Sequence, residues 1–421
     1  MMIFPKINVM SFTHIILIFL LVSPSIICGQ NTDIGALLSD GFRDEKISIL
    51  NQSDLRLGTL DDNLPFLEKV EFRSELDRMM SSRQEFLIRT SFNGLGQIKA
   101  ERDKFNALLA RKSEASQIIK NEVISQKYQD IIELILIIRN IEMIKEYQFN
   151  LDERIKMSET ILSNGLSPDL LDYIQLKESV IQMEIKKGGF DLKWKLYTGK
   201  LKIDTSANID LTRLPEPSQM KSYIDSLKPD FDQHPEIREY DFESQYLKAD
   251  LNAQRSKSTK ILDFAQVRHD LRDDLLLQNR FSIGVGLNVP WSGSFSLKRQ
   301  DINIKLEEAS TKKELKKVSL KTTFNDFKNT FDYELNQYKM WQSLHNDKVI
   351  VDLKNKIINS RRLDPLEILS LKESELDASS KALEHYEKLL KIYINILDIT
   401  GELYSKPLRN YLHVLRPVLI D

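Results

Sequence analysis

The sequence predicts a mainly α-helical protein with a small β part, built from two tandem copies of a long antiparallel helical hairpin. Three observations support this fold class. Sequence landmarks recur in the same order, apolar residues recur at steps of three and four, and only 14 Gly and 12 Pro occur among 421 residues. With 29% charged residues, such a chain is typical of long helices exposed to water.

The N-terminus, residues 1–29, has the pattern of a secretory signal peptide. Lys6 precedes the apolar run from Ile15 to Val22, and Gly29 supplies a small residue before Gln30. The run is too short to span a bilayer. Cys28 is the only cysteine, so an intramolecular disulfide is excluded. It either leaves with the signal or is the acylated residue of a lipoprotein.

Matching landmarks divide the rest of the chain into two copies. They are Pro65 to Phe72 with Pro235 to Phe242, Leu-Lys-Glu-Ser at 176–179 and 371–374, and Thr-Gly at 198–199 and 400–401. We therefore predict an N-terminal extension at 30–63, a first repeat at 64–200, a linker at 201–233, a second repeat at 234–403 and a tail at 404–421.

Each copy contains one very long stretch without Pro or Gly, at 97–164 and at 297–362. Apolar residues there step by three and four, as in supercoiled helices. Each stretch ends at a predicted reversal, where Gly165 suits a helix C-terminus and Ser167 and Asp364 suit the N-cap of the next helix. Each copy is therefore predicted to be a hairpin of two antiparallel helices.

One segment alternates as a β-strand. Its large apolar residues share one face, and small or polar residues share the other. These apolar residues are Phe281, Ile283, Val285, Leu287, Val289 and Trp291. The pattern fits a membrane strand of a β-barrel, with lipid on one side and a lumen on the other. It also fits a soluble sheet with one wet face. Residues 261–269 are its candidate hairpin partner.

The sequence gives no indication of an enzyme. The six histidines are scattered, and no metal-ligand spacing, glycine-rich phosphate loop or nucleophile elbow occurs. We therefore expect no catalytic residue, no cofactor and no metal site. The net charge is −2 with both signs interspersed, so no nucleic-acid partner is expected.

These features together resemble the TolC-like family of outer-membrane efflux and secretion channels. The resemblance covers about 64–200 and 234–403. It rests on His234-Pro235-Glu236-Ile237, on Gly284 through Trp291, on the two reversals and on the Thr-Gly ends. The family implies a homotrimer whose helices form an α-barrel across the periplasm, capped by a β-barrel in the outer membrane of a Gram-negative bacterium. It also implies a passive exit duct that docks onto a periplasmic adaptor (membrane fusion protein) and an inner-membrane pump.

The resemblance also assigns roles to residues at the predicted reversals. Candidates for adaptor docking at the tip are Gly165, Leu166, Ser167, Arg362, Leu363 and Asp364. Candidates for a ring of carboxylates that narrows the pore are Asp169, Asp172 and Glu367. Plain helix capping and helix-dipole stabilisation would select several of the same residue types, so both interpretations remain open.

One departure from the family pattern concerns the first copy. It is shorter than the second by the size of one hairpin of two short strands, and only Phe86 to Phe92 and a stub around Gly94-Leu95-Gly96 are candidates for strands there. We therefore expect a truncated first hairpin, which would leave a trimer nearer six full strands than twelve. The alternative function is a periplasmic structural or adaptor-type coiled-coil protein without a complete membrane barrel.

Overall fold

The computed structural model describes most of the chain after residue 30. The described residues are 31–32, 34–42, 44–60, 65–76, 84–164, 170–203, 208–209, 214–258, 260–270, 281–287, 293–345, 365–405, 407–413 and 418–419. The predicted signal peptide with Cys28 lies outside them, as do Gly165 to Pro168 of the first predicted reversal and Arg362 to Asp364 of the second.

The first half of the chain runs from short helices through a hairpin into the longest helix. Its elements are β1 (Asn31–Thr32), α1 (Ile34–Phe42), α2 (Glu45–Gly58), β2 (Leu67–Leu76), β3 (Gln84–Phe92), α3 (Leu95–Ser163), α4 (Leu170–Leu201) and β4 (Asn208–Ile209). The second half follows the same order after a short linker helix. Its elements are α5 (Pro217–Ser226), α6 (Pro235–Ser258), β5 (Leu262–Asp270), β6 (Phe281–Leu287), α7 (Gly293–His345), α8 (Pro365–Ile399), β7 (Arg409–Asn410) and β8 (Val418–Leu419).

The order helical segment, two strands, long helix, helix therefore occurs twice, with α1 and α2 together in the place that α6 has in the second copy. The Leu-Lys-Glu-Ser landmarks lie at matching places on α4 and α8. Thr198 and Thr400 also match, because each hydroxyl donates to the carbonyl four residues earlier. The match of 65–72 with 235–242 is wrong, since the first segment is mostly strand and the second is helix. The element order repeats from residue 34 instead of 64.

The sequence pattern gave the long helix correctly. α3 spans 95–163, close to the predicted 97–164. Its stepped apolar residues are buried at Ile124, Tyr128, Ile131 and Ile135, and those of α8 are buried at Tyr386, Leu390, Tyr393 and Leu397. The two seams meet in the main hydrophobic cluster, with α1 and α5 packed against it. This cluster lies midway along α3 and fixes the middle of the bundle.

Two ends of the bundle can be defined from this centre. At the sheet end, where α3 begins, α3 lies beside α2 and α6, and α6 lies beside α7. At the tip end, where α3 ends, α3 lies beside α4 and α8, and α8 lies beside α7. The helices therefore lie side by side in the order α2-α3-α6-α7 toward the sheet end and α4-α3-α8-α7 toward the tip end. One edge is α7 along its whole length, and the other is α2 followed by α4.

A four-stranded antiparallel sheet caps the sheet end in the order β2-β3-β5-β6. The expectation of a truncated first hairpin is wrong. β2 and β3 have 10 and 9 residues, whereas β5 and β6 have 9 and 7. In each copy the two strands pair with each other, and β3 pairs with β5 to join the two copies into one sheet.

No helix among the described residues is long and apolar enough to span a bilayer.

Candidate functional site

The sheet has two chemically different faces, and the strand register defines them. One row across the four strands consists of Phe72, Ile88, Val267 and Ile283. The neighbouring row, on the opposite face, consists of Glu71, Arg89, Gln266 and Gly284. Side chains alternate between the faces of a strand, so these rows define an apolar face and a polar face.

The apolar face is uncovered. Ile283 is 81% exposed, and Phe281, Val285 and Leu287 on the same strand are also exposed. These four residues are the described part of the predicted membrane strand, and they share one face as predicted. Val289 and Trp291 lie outside the described residues. Exposed apolar area of this extent indicates a surface that is covered in the working protein.

Aromatic rings lie near both ends of the apolar face. At the end next to the helices, the centroids of Phe66 and Phe92 are 5.3 Å apart. At the far end, the rings of His269 and Phe281 have centroids 4.4 Å apart. Amphipathic and aromatic side chains favour the boundary between lipid and water, so this placement fits an apolar band with two polar borders.

The polar face carries charged pairs that run along and across the strands. Glu71 forms ion pairs with Lys69 and Arg73 on its own strand, and Arg268 of β5 pairs with Glu85 of β3. The guanidinium of Arg89 donates to the Gln266 side-chain oxygen at 2.9 and 3.2 Å. The two signs are balanced, and the pairs tie neighbouring strands together.

Glycines in β6 make room for large side chains from β5. A Cβ at Gly286 would lie 2.2 Å from the Phe264 ring, and one at Gly284 would lie 2.9 Å from the Gln266 amide nitrogen. The Phe264 ring in turn lies 4.2 Å under the Arg89 guanidinium. The small residues of β6 are therefore required by side chains laid across them.

Both edges of the sheet are open. Among the described residues, β2 pairs only with β3, and β6 pairs only with β5. An open edge strand presents unpaired backbone donors and acceptors, and proteins normally cover or close such edges. The sheet of one chain is thus chemically amphipathic and geometrically incomplete.

The tip end holds a second cluster of polar contacts. Arg154 of α3 forms ion pairs with Glu373 of α8 and, at 3.5 Å, with Asp172 of α4. The Arg154 side chain is only 12% exposed, and its Nε is buried without a hydrogen-bond partner among the residues that the structure describes. Asp172, a predicted pore residue, therefore lies beside a cation that offsets part of its charge.

Two further polar contacts join α3 to α8 between Arg154 and the middle of the bundle. One and two turns earlier on α3, Asn150 donates to the Leu369 carbonyl at 3.1 Å and Tyr147 donates to the Asp377 carboxylate. Burial, followed by Asp377, raises the pKa of Tyr147 well above its ordinary value. A line of polar contacts thus ties α3 to α8 near the tip.

The other residues predicted at the tip are not brought together by the described chain. Glu367 lies in the first turn of α8. Asp169 and the six docking candidates (Gly165, Leu166, Ser167, Arg362, Leu363 and Asp364) lie outside the described residues. Sequence reasoning missed Tyr147, Asn150 and Arg154. Their steps of three and four place them on one helix face, which is the signal that could have found them.

Comparison with solved structures gives strong matches to outer-membrane channels. A structure of CusC, described in terms of transmembrane channel formation, matches with a TM-score of 0.64 and 14% identity, over 86% of this chain and 91% of that one. The outer-membrane protein VceC of Vibrio cholerae matches with 0.63 and 12%, over 87% and 95%. The CmeC channel of Campylobacter jejuni matches with 0.59 and 13%, over 87% and 84%. The chain has the fold of these channels.

No family model and no curated protein sequence matches the chain.

Proposed function

We propose that the chain is the subunit of a homotrimeric outer-membrane channel, the passive exit duct of a tripartite efflux or type I secretion system. A periplasmic adaptor and an inner-membrane pump would deliver its substrates. The observation that carries this proposal is the sheet, which has one apolar face, one charged face and two open edges at the end of a long helical bundle. It goes beyond the shared fold, since each face has the chemistry that a barrel wall requires.

Closing the sheet explains its open edges. Rotation about an axis along the bundle would bring β6 of one copy beside β2 of the next. Three copies of a four-stranded sheet supply twelve strands, which lies within the range of known membrane barrels. Closure also separates the faces, because the apolar rows would meet lipid and the charged rows would line a water-filled lumen.

The chain's organisation follows from this assignment. We propose a signal peptide at 1–29, a first repeat that extends from residue 34 to 201, a linker, and a second repeat from 235 to 399. The sheet would lie in the outer membrane of a Gram-negative bacterium, and the helices would extend into the periplasm. Cys28 would either leave with the signal or anchor the mature chain through a lipid.

The tip end would contain the pore entrance and the adaptor-docking surface. We keep Gly165, Leu166, Ser167, Arg362, Leu363 and Asp364 as docking candidates, and Asp169, Asp172 and Glu367 as the carboxylates that narrow the pore. Rings of carboxylates favour cations over anions. Because Arg154 offsets part of the charge of Asp172, we expect Asp169 and Glu367 to contribute more to that preference.

Cell fractionation followed by planar-bilayer conductance tests the proposal. We expect the protein in the outer membrane and single-channel steps that trivalent cations block. Replacing Asp169 and Glu367 with Asn and Gln should relieve the block, whereas Asp191→Asn, on α4 and remote from the tip, should not. A soluble monomer without conductance would contradict the channel and favour the alternative of a periplasmic structural or adaptor-type coiled coil.

A further inference from the structure

Helix α4 has two apolar seams, and within the part of the chain that the structure describes only one of them is covered. On one side Tyr173, Leu176 and Val180 pack against Leu151 and Ile155 of α3. The other seam also steps by three and four, and its residues are exposed. They are Ile174, Glu178, Ile181, Ile185, Gly188, Leu192, Lys195 and Gly199. A helix with two such seams is built to pack against a helix on each side.

Helix α7 carries an outward seam, more polar than that of α4, at the opposite edge of the bundle. Its exposed residues, again at steps of three and four, are Thr322, Asp326, Asn329, Tyr333, Asn336 and Met340. Tyr333 and Met340 are about as exposed as Ile185 and Leu192. Since α4 and α7 run in opposite directions between tip and centre, the two seams suit an antiparallel pair.

We propose that the outward seam of α4 packs against the outward seam of α7 in a neighbouring copy, with Gly188 and Gly189 facing the segment Tyr333–Met340. This inference rests on the proposed function, because it assumes that copies close into a ring. It adds the pair of helices that meet, their direction and their register. It also assigns a role to the two glycines.

The register follows from contacts within one chain. Rotation about the ring axis keeps every residue at its own height, so residues at one height in a chain meet residues at that height in the next. Glu334 of α7 hydrogen-bonds to His385 of α8 at 2.6 Å, and two residues further along α8 Glu387 bonds to Asn140 of α3 at 2.7 Å. Glu334 of α7 therefore lies at about the same height along the bundle as Asn140 of α3.

An ion pair between α3 and α4 gives the position on α4 that lies at this height. Asp130 of α3 pairs with Lys200 of α4 at 3.6 Å, and the two helices are antiparallel. Moving along α3 from Asp130 to Asn140 therefore moves back along α4 from Lys200 to Phe190. Gly188 and Gly189 lie within one turn of this level, so Tyr333 and Asn336 of the neighbour would face them.

Charge and shape agree with this register. Near its C-terminal end, α4 carries the exposed Lys195 in its seam, within one turn of the level of the exposed Asp326 in the α7 seam. Gly188 and Gly189 lie inside α4, where glycine is less favourable than alanine, and a Cβ at either position would have no atom of the described residues within 4 Å. A neighbouring helix that approaches closely, with the Tyr333 ring over the glycines, explains why no side chain is present there.

Disulfide trapping tests the register directly. The chain has one natural cysteine, so a Cys28→Ser background leaves introduced pairs as the only thiols. Ile185→Cys combined with Asn336→Cys or Met340→Cys should give covalent oligomers under mild oxidation. The matched control is Ile185→Cys with Thr322→Cys, which is on the same α7 seam but about 21 Å from position 336 along the helix.

The outcomes separate the inference from the proposed function. Covalent trimers from the first two pairs, but not from the control, support the register. Covalent trimers from the control pair, or native trimers without any cross-link, would overturn the register and leave the channel standing. A monomer in every variant would overturn both.

Filling the glycine notch provides a second test. We expect Gly188→Leu to raise the concentration needed for half-assembly by roughly tenfold while helix content stays unchanged. Gln182→Leu adds a comparable side chain to an exposed position of α4 that lies off the seam, and it should leave assembly unchanged. Equal assembly of both variants would contradict a close contact at Gly188.

Discussion

Arg154 shows how one side chain can join three helices. It extends from α3, pairs with carboxylates on α4 and α8, and is largely removed from water. Such a charge is stabilising only while its partners are present, because desolvation has already weakened its interaction with water. Its loss would leave Asp172 and Glu373 without their shared cation where the three helices meet.

We expect Arg154→Met to destabilise the tip end by about 1–2 kcal/mol, since its carboxylate partners keep partial contact with solvent. Hydrogen exchange of the last two turns of α3 would measure the local opening free energy. Lys156→Met is the matched control. Lys156 pairs with Glu153 at the surface, where solvent screens the pair, so its loss should leave stability nearly unchanged. Similar exchange in both variants would contradict the role of Arg154.

His234 gives the centre of the bundle a dependence on pH. It is buried just before α6, and its Nδ1 accepts from the Glu236 backbone N–H at 3.4 Å. Burial lowers the pKa of His234 below its ordinary value of 6.5, and nearby Glu236 partly opposes that shift. Below pH 6.5 the unfolded chain therefore takes up a proton more readily than the folded chain does, so acid destabilises the fold.

We expect the melting temperature of the wild type to fall more steeply than that of His234→Asn as the pH decreases from 7 to 5. Asparagine can cap α6 but does not titrate in this range. The measurement is thermal unfolding across that pH range, with both proteins compared at pH 8 as the reference. Parallel curves for the two proteins would show that His234 does not contribute to the pH dependence.

At the scale of elements, the packing of β5 beside β6 depends on a large side chain of β5 that lies over a glycine of β6. Phe264 occupies the volume that a side chain at position 286 would need. We expect Gly286→Ala to destabilise the sheet by about 1–3 kcal/mol, the usual effect of overpacking. Phe264→Ala in the same protein should recover most of that loss, because it vacates the contested volume.

Heat dissociation of the folded oligomer on gels, together with strand content by circular dichroism, would measure both effects. Ser282→Ala is the control, since it alters the same face of the same strand without filling the space under Phe264. A Gly286→Ala variant as stable as Ser282→Ala would rule out the close packing.

The helices were easier to predict than the first hairpin for a physical reason. Helix α3 repeats its apolar signal over 69 residues, so the period is unmistakable. β2 alternates only over Val70 and Phe72, between charged residues, and its charged face removes the contrast that marked β6. The predicted truncation of the first hairpin was wrong because the length comparison aligned residues 65–72, mostly a strand, with residues 235–242, a helix. The tip contacts of Arg154 depend on helix pairing and could be predicted only as one face of α3.

At the scale of the whole molecule, lipid would replace water on one face of the sheet. Ile283→Lys tests this replacement, because Ile283 is 81% exposed in one chain and a soluble protein would tolerate lysine there. In a membrane strand we expect a loss of about 2–4 kcal/mol on folding into vesicles in urea. Ser282→Lys, which lies one residue away on the polar face, should be nearly neutral. Equal tolerance of both changes would argue against a membrane strand.

The two edges of the bundle are unlike, with α7 on one side and α2 and α4 on the other. Contacts between unlike edges are heterologous, so each copy contributes a different surface to each of its two neighbours. A copy with one damaged edge could still join a growing assembly through its intact edge, but it could not let the ring close. Co-expression of an edge-damaged copy with the wild type should therefore be dominant, since one such subunit disables the whole ring that contains it.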